Sequence, residues 1–429
     1  MPHHIFSPYR VCPLGAHVDH QHGLVTGFAI DKGVDLWFDV REDSKVVLDS
    51  ETFTGHVEFD IATPTLVKQG NWGDYARGAK FALQKRFKLS RGISGVIKGS
   101  LPVGGLSSSA AVLIAYVMAF AKANGIGLEP FEVAKIASEA EREYIGLNNG
   151  LLDQACIALG KKDHLLMLDC ESNEYRLIPK AANMPDFELG IFFSGLTRSL
   201  VSSDYNLRVT ECKTTAWIVQ AYENVPLKTH DKTFLRDVPE SMYKRHRDEM
   251  PPRFARRAEH FYGEHKRVRE GITAWETGNL EWFGSLSKAS CDSSIHNYEC
   301  GSPELQAITR PCSPPTASTA AASPAPASKA PASPWSIRPR RKASSKRLRN
   351  STWHSSRSIG ALSRFVSVRV MMGRGLFETS PLGIIKRFLP NYDKPMVYEP
   401  ISRLMLARTL TAKGMSGLSP STVIWICLG

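Results

Sequence analysis

The sequence predicts an α+β fold in which short strands come first and most helices follow. Between residues 25 and 99 the chain has short runs rich in β-branched and aromatic residues with alternating polarity, such as residues 34–40. Helical patterns cover residues 72–85, the segment after Ser109 and residues 131–144. This order favours a mixed α+β layer arrangement over repeated β-α-β-α units.

Composition is that of two ordinary domains followed by a basic tail. The chain has 429 residues, of which 42% are apolar, enough for sizeable cores. Its net charge of +12 could suggest a nucleic-acid partner. However, residues 308–429 hold 19 basic and 3 acidic residues, and the rest of the chain has a net charge of −4. We therefore expect no nucleic-acid partner.

Cysteine usage and the N-terminus indicate a cytoplasmic protein. The eight cysteines are scattered without a C-x-x-C pair, which fits reduced thiols better than a disulfide framework. No long apolar run suggests a membrane span, and residues 1–6 lack the regions of a signal peptide. We expect no membrane partner, and the sequence leaves the oligomeric state open.

A glycine- and serine-rich segment opens an apolar helix and is suited to phosphate. Residues 101–111 read L-P-V-G-G-L-S-S-S-A-A, and an apolar run follows. Glycines let backbone N–H groups approach a ligand, a helix start favours anions, and serine hydroxyls can bind phosphate or Mg²⁺. The segment is not the common G-x-x-x-x-G-K-[ST] loop. The alternative interpretation is a serine-capped, buried helix.

Two further segments complete a pattern. Residues from Arg10 read R-V-C-P-L-G-A-H-V-D-H, and residues from Ala140 read A-E-R-E-Y-I-G-L-N-N-G-L-L-D-Q. In this order and spacing, the three segments resemble the signatures of the GHMP small-molecule kinases, and within them the galactokinases and plant galacturonokinases. Asp204-Tyr-Asn-Leu-Arg and Tyr298-Glu-Cys-Gly-Ser-Pro-Glu-Leu resemble the galactokinase patterns E-Y-N-x-R and Y-E-V-S-x-P-E-L.

This resemblance, which extends from about Pro8 to about Ala307, implies a fold and an activity. The fold would be the two-domain GHMP kinase fold, with a ribosomal-S5-domain-2-like N-terminal domain at residues 1–160. An incomplete α+β C-terminal domain would occupy residues 161–307, and residues 308–429 would form a largely disordered tail. The activity would be ATP-dependent phosphorylation of a sugar's anomeric hydroxyl, with ATP and Mg²⁺ required. Relatives usually carry an additional strand-forming segment before the position of Arg10.

The resemblance also assigns the catalytic residues. Asp153 would accept the sugar hydroxyl proton or hold the nucleophile, and Arg10 would stabilise the transferred phosphate. An isolated Asp153 could instead be a helix N-cap, and Arg10 a surface arginine at a strand edge. The residues expected to bind the ATP phosphates are Gly104, Gly105, Leu106, Ser107, Ser108, Ser109 and Ala110.

Metal and sugar ligands follow from the same motifs. Ser109 and Glu141 resemble the family's Mg²⁺ ligands, and Mg²⁺ often takes only one or two oxygens from protein. Glu141 could instead lie on a solvated helix face, because it stands in a local acidic run. His17, Asp19 and Tyr205 would contact the sugar, although a tyrosine at that place could equally belong to the core.

One departure from the galactokinase pattern concerns the substrate. Ala16 stands where R-V-N-L-I-G-E-H has glutamate, which in galactokinase is thought to lie by the C6 hydroxyl. A C6 carboxylate would be repelled by glutamate and accommodated by alanine, and His20 and His22 could add donors or positive charge nearby. The expected substrate is galacturonic acid, giving galacturonate 1-phosphate. The alternatives are neutral drift with a galactokinase-like neutral-sugar activity, and an inactive remnant or basic-tailed binding protein.

The character of the chain changes after Ala307. Residues 309–334 are mostly Ala, Ser, Pro and Thr, and residues 338–349 form a basic cluster. The ordinary interpretation is a disordered linker and tail, because this composition cannot bury a core. The resemblance, however, requires a third glycine motif in this region, of the form G-V-Y-G-x-R-F-S-G-A-G-F-x-G, and the chain lacks it.

The genetic code permits the missing motif in a shifted reading frame. Ala, Ser, Thr and Pro codons constrain their first two bases, so the shifted codons of residues 316–330 are largely fixed. In order, they admit G-V-Y-G-x-R-F-S-G-A-G-F-K-G. We therefore predict a frameshift near Ile308, in the gene or in its assigned coding sequence. The corrected chain is called the frame-restored protein below.

Overall fold

The computed structural model carries all 429 residues, of which part is described here. The described residues are 2–64, 67–101, 105–193, 204–303, 306, 364–368, 377–378 and 422–426. The expected phosphate ligand Gly104 lies outside them, and so does most of the segment for which the sequence predicts a disordered tail.

The described strands and helices agree with the fold class that the sequence predicts. The strands are β1 (His3–Val11), β2 (Leu24–Val40), β3 (Lys45–Ser50), β4 (Val57–Asp60), β5 (Ile93–Gly99), β6 (His164–Asp169), β7 (Tyr175–Pro179), β8 (Phe187–Phe193), β9 (Arg364–Val368), β10 (Phe377–Glu378) and β11 (Thr422–Ile426). The helices are α1 (Asp74–Gln84), α2 (Ser108–Ala123), α3 (Pro130–Glu139), α4 (Leu152–Leu159), α5 (Tyr205–Tyr222), α6 (Glu240–His246), α7 (Pro252–Glu276) and α8 (Leu280–His296).

A mixed sheet built around β2 forms the first layer. Its order is β10-β1-β2-β5-β3-β4, and β6 and β7 extend it from the first residues of β2. The long β2 serves two neighbours, because residues 34–40 pair with β5 and residues 24–27 pair with β6. Among the described strands of this sheet, β3 and β5 pair in parallel and the other pairs are antiparallel.

Helices α2 and α4 pack against this sheet, and α1 and α3 pack against α2. The apolar α2 buries most of its residues and packs against β1, β2, α1 and α3. Phe28 and Phe38 of β2 belong to the same apolar core. A π-helical turn, Ala140–Ile145, follows α3 and carries the start of the A-E-x-x-x-x-G motif. The fold class predicted from the sequence is confirmed.

The segment from Arg253 to Lys288, which has a helical and amphipathic pattern with many charged positions, lies in two helices, α7 and α8. The break lies at Gly278, which adopts a left-handed φ of 73° that residues with a Cβ rarely adopt. Asn279 then caps α8 by accepting a hydrogen bond from the Trp282 N–H. In the described part of the chain, no helix is long and apolar enough to cross a membrane.

A second, three-stranded sheet has the order β11-β8-β9. Two of its strands therefore come from the segment after residue 307. Since β6 and β7 pair with the first sheet, that sheet continues beyond residue 160. The division into domains at residues 160 and 307 remains a prediction.

Candidate active site

The phosphate-loop segment leaves the start of α2 open. Ser107 has a left-handed backbone, with φ 57° and ψ 44°, and directly precedes the helix. Among the described residues, its side chain makes no capping hydrogen bond to α2. In the part of the chain that the structure describes, no N-cap side chain accepts from the first backbone N–H groups of the helix, which suits an anion there. This geometry does not support the alternative of a serine-capped helix.

An ion pair joins β1 to α4 beside this loop. The Arg10 Nε donates to Asp153 Oδ1 over 2.7 Å, and the Ser107 hydroxyl donates to Asp153 Oδ2. Burial alone would lower the pKa of Arg10, but the charge of Asp153 and the hydrogen bond to it raise that pKa above its ordinary value. Asp153 lies in the first turn of α4 and is not its N-cap. The structure therefore brings both predicted catalytic residues together with the phosphate loop.

Glu141 is buried, with 1% of its surface exposed, so it does not lie on a solvated helix face. Asn149 and Gln154 donate to its Oε2 over 2.7 and 2.6 Å, and Ser109 hydrogen-bonds to the same carboxyl. Burial is the main cause that raises the pKa of Glu141 to about 7. The amide oxygens of Asn149 and Gln154 are buried and have no hydrogen-bond partner among the described residues.

Asp19 lies beside the catalytic pair in a short helical turn, residues 19–21, between β1 and β2. A Cβ at position 150 would stand 2.6 Å from the Asp19 Cγ, so only glycine allows this close approach. Burial, and then the charge of Asp153, raise the pKa of Asp19 to about 6, above its ordinary 3.8. A carboxylate held in this way costs stability at neutral pH.

The change Asp19→Asn should therefore stabilise the fold while weakening sugar binding. Above pH 6 the folded chain must ionise a carboxyl that resists ionisation, and asparagine removes a cost of up to about 3 kcal/mol. Below about pH 4, Asp19 is protonated in the folded and unfolded chain alike, so the gain should vanish there. Urea unfolding at pH 7.5 and pH 4.5 measures the gain, which at pH 4.5 should have fallen to about a third of its value at pH 7.5. An equal difference at both pH values would contradict the assignment of the raised pKa.

The segment between β1 and β2, residues 12–23, is called the β1–β2 loop here. It carries Ala16 and His17 next to aromatic side chains that the sequence analysis did not assign to the site. The His17 ring stacks on Tyr298, with centroids 4.7 Å apart and planes 6° apart. Burial lowers the pKa of His17 to about 4 and that of His20 to about 3, so both are neutral at neutral pH.

His20 is held by two partners. Gln21 Nε2 donates to His20 Nδ1 over 2.9 Å, so the proton of the neutral ring is on Nε2, which faces the Tyr298 hydroxyl at 3.0 Å. Tyr205, the first residue of α5, has its ring edge toward His20 at 6.0 Å between centroids. Burial raises the pKa of Tyr205 well above its ordinary value. Tyr205 thus lies beside the β1–β2 loop.

Charged residues of the motifs that begin at Asp204 and Tyr298 take part in an ionic network around a buried arginine of α7. Arg257 of α7, which has no exposed surface, pairs with Glu211 over 2.7 Å and with Glu299 over 2.8 Å. Arg208 pairs with the same Glu211 over 3.0 Å. These bonds fix α5 and the segment after α8, and with them the tyrosines beside the β1–β2 loop. The sequence analysis missed Arg257, because it lies in no motif.

The fold and this site define the class of the protein. A helix start suited to an anion, next to an arginine–aspartate pair and a sheltered polar loop, is compatible with phosphoryl transfer to a small molecule. Residues 74–161 match the family model for the GHMP kinase N-terminal domain.

Comparison with known proteins gives the family. The chain is 40% identical to galacturonokinase of Arabidopsis thaliana over 322 residues, which is 70% of this chain and 75% of that protein. It is 32% identical over 308 residues to galactokinase of Clostridium perfringens strain ATCC 13124, covering 71% and 77% of the two chains. The protein belongs to the GHMP kinase family and is a galactokinase-like sugar kinase, a phosphotransferase that uses ATP.

Solved structures agree with this result. The crystal structure of Lactococcus lactis galactokinase complexed with galactose superposes with a TM-score of 0.65 at 28% identity, covering 72% of this chain and 79% of that one. Methanococcus jannaschii mevalonate kinase, at 17% identity and a TM-score of 0.51, covers 72% and 83% and shows the shared fold alone.

Proposed function

We propose that this protein, in its frame-restored form, phosphorylates the anomeric hydroxyl of galacturonic acid, giving galacturonate 1-phosphate and ADP. The observation that carries the reaction type is the Asp153 carboxylate, which Arg10 and Ser107 hold at the open start of α2. The substrate is supported by the similarity to the Arabidopsis enzyme and by Ala16.

The chain's own residues would perform the transfer as follows. The sugar's anomeric oxygen attacks the γ-phosphorus of ATP, the new O–P bond forms, and the bond to the β-phosphate oxygen breaks with ADP as leaving group. Asp153 accepts the hydroxyl proton or orients the hydroxyl, and Arg10 stabilises the negative charge on the phosphoryl oxygens. The backbone N–H groups at the start of α2, at Ser108, Ser109 and Ala110, would hold phosphate oxygens together with Gly105, Leu106 and Ser107.

Mg²⁺ fits the residues around Glu141. The carboxylate and the Ser109 hydroxyl are oxygen ligands of the kind that Mg²⁺ prefers, and two buried amide oxygens beside them lack hydrogen-bond partners among the described residues. Ser109 and Glu141 would hold the ion. When bound, it would neutralise part of the phosphate charge.

The case for a uronate rests on what surrounds Ala16. Galactose has a hydroxyl at C6 and galacturonate has a carboxylate there. A methyl side chain at position 16 leaves space and carries no negative charge, and the neutral ring of His17, the next residue, has one N–H to donate. Asp19 and Tyr205 would contact other parts of the same sugar.

The test measures ATP consumption by the frame-restored protein with galacturonate and with galactose. A kcat/KM for galacturonate at least about tenfold above that for galactose is the expected result, since a mismatched polar group costs at least that much. The reverse ratio would make the protein a neutral-sugar kinase. Turnover of neither sugar would overturn the proposed function and favour the alternative of an inactive kinase remnant.

The change Ala16→Glu should move the preference from galacturonate toward galactose. A carboxylate at position 16 would repel the C6 carboxylate and accept a hydrogen bond from the C6 hydroxyl. The ratio of the two kcat/KM values should shift by about 100-fold, which corresponds to one unpaired charge in a partly buried site. The matched control is Ala16→Gln, because glutamine has the size of glutamate without its charge. An unchanged ratio would exclude position 16 from sugar selection.

A further inference from the structure

Helix α7 holds the backbone of the β1–β2 loop from behind. The Gly15 N–H donates to Glu264 Oε2 over 2.6 Å, and His260 Nε2 donates to the Ala16 carbonyl over 2.8 Å. At the end of the loop, the Leu24 N–H donates to His265 Nε2 over 3.1 Å. Consecutive residues of the loop are therefore bound through their main chain to side chains one helical turn apart.

Two of these side chains, Glu264 and His260, are themselves hydrogen-bonded to serines of α8. Glu264 has no exposed surface, accepts a hydrogen bond from the Ser290 hydroxyl over 3.0 Å, and pairs with Arg267 over 2.7 Å. His260 is 1% exposed, and its Nδ1 is 3.0 Å from the Ser293 hydroxyl. Since Nε2 carries the proton toward Ala16, Nδ1 accepts from the serine. Burial lowers the pKa of His260 to about 3, so the ring is neutral.

The shape of the loop turns its main chain toward these partners. Gly15 has a φ of 84°, and a Cβ there would stand 2.6 Å from the Leu24 carbonyl oxygen. The turn thus packs directly on the start of β2 and leaves the Gly15 N–H and the Ala16 carbonyl facing α7. A buried carboxylate costs free energy unless its partners compensate, so Glu264 is an unusual choice for a helix that only needs to pack.

We infer that His260 and Glu264 are positioning residues that set the sugar selectivity of this kinase. They fix the main chain of Gly15 and Ala16, and through it the place of the side chain that faces the C6 group. The inference rests on the proposed function, because it assigns the C6 group to Ala16. Neither residue reaches the substrate, since both are buried behind the loop.

The kinetic test uses His260→Ala and Glu264→Ala in the frame-restored protein. Losing one of these bonds should lower kcat/KM for galacturonate by about 10- to 100-fold and reduce the discrimination against galactose, while the KM for ATP stays within about twofold. His260→Gln should keep most activity, because its amide can donate to Ala16 and accept from Ser293.

The matched control is Trp275→Phe, also buried in α7. Its indole N–H donates to the carbonyls of Ile178 and Pro179 on β7, far along the helix from the loop. The change should lower stability without altering sugar discrimination. Equal losses for sugar and ATP in His260→Ala and Glu264→Ala, or the same loss of discrimination in Trp275→Phe, would overturn the inference.

Backbone hydrogen exchange on the full chain with its present sequence separates this inference from the proposed function. Peptides covering residues 14–24 should exchange faster in Glu264→Ala and His260→Ala than in the parent, whereas Trp275→Phe should affect residues 175–179 instead. Unchanged exchange at residues 14–24 would overturn the inference whatever the substrate is. If neither sugar is phosphorylated while exchange at residues 14–24 rises as expected, the proposed function is wrong. The role of His260 and Glu264 in fixing the β1–β2 loop is then still supported.

Discussion

In the frame-restored protein, Asp153→Asn is expected to lower kcat by about 1,000-fold while ATP binding survives. Among the described residues, Asp153 is the acidic residue whose carboxylate contacts both Arg10 and the phosphate-loop residue Ser107. Asparagine keeps the shape and can still accept from Arg10, but it cannot take a proton from the sugar hydroxyl. Phosphoryl transfer measured with saturating sugar and ATP tests the chemistry, and calorimetric titration with ATP tests the binding.

Asp163→Asn is a matched control for this experiment. Asp163 lies ten residues further along the chain, is partly exposed, and has a left-handed φ of 56°, which asparagine tolerates well. Its turnover should equal that of the parent protein. Near-parental turnover in Asp153→Asn would remove this carboxylate from the mechanism, and a loss of ATP binding would assign it to the nucleotide site instead.

The sequence predicted the strands and helices near the site well because their patterns are local. Residues 34–40 alternate in polarity and form part of β2, and the apolar run after Ser109 forms α2. The motif residues were also predictable, since a resemblance carries their roles along with their spacing. What the structure adds is their contact: Arg10 and Asp153 are 143 residues apart in the chain and share a hydrogen bond.

The hydrogen bonds from α7 to the main chain of the β1–β2 loop could not be predicted, because they depend on which face of the helix is buried. In sequence, Glu264 stands among charged residues and resembles a solvated face. In the structure Glu264 lies on the buried face of α7, together with Phe261 and Val268. Polar residues at one-turn spacing within an apolar stripe, as with His260 and Glu264, were the available signal. The break at Gly278 had a similar signal in the Thr-Gly-Asn sequence that surrounds it.

The second large effect concerns the chain after residue 307. The present sequence is expected to give little or no kinase activity, and the frame-restored protein to be active. The family's third glycine motif is missing from the present sequence and is permitted in the shifted frame of residues 316–330. The resemblance places this motif beside the phosphate loop, so losing it should remove part of the wall of the ATP site.

The pairing of strand β8 adds a structural argument to this prediction. Its Leu189 and Ile191 are fully buried, and both of its edges are paired, one with β11 and the other with β9. Both partners come from the segment that we predict to be out of frame. An apolar strand is prone to aggregation unless its edges are well covered. Out-of-frame segments were not selected to pair with β8, so the present sequence should aggregate more readily than the frame-restored protein.

Three versions of the protein separate the explanations: the present sequence, the frame-restored protein, and a chain that ends at Ala307. Soluble yield and ATP consumption with galacturonate are measured for each. If the frameshift account is correct, the frame-restored protein is active, and the present sequence and the shortened chain are both inactive, because both lack the third glycine motif. Comparable activity from the present sequence and the frame-restored protein would refute the frameshift. A present sequence that is active while the shortened chain is not would instead make the basic tail a working part of the enzyme, since its residues alone distinguish the two.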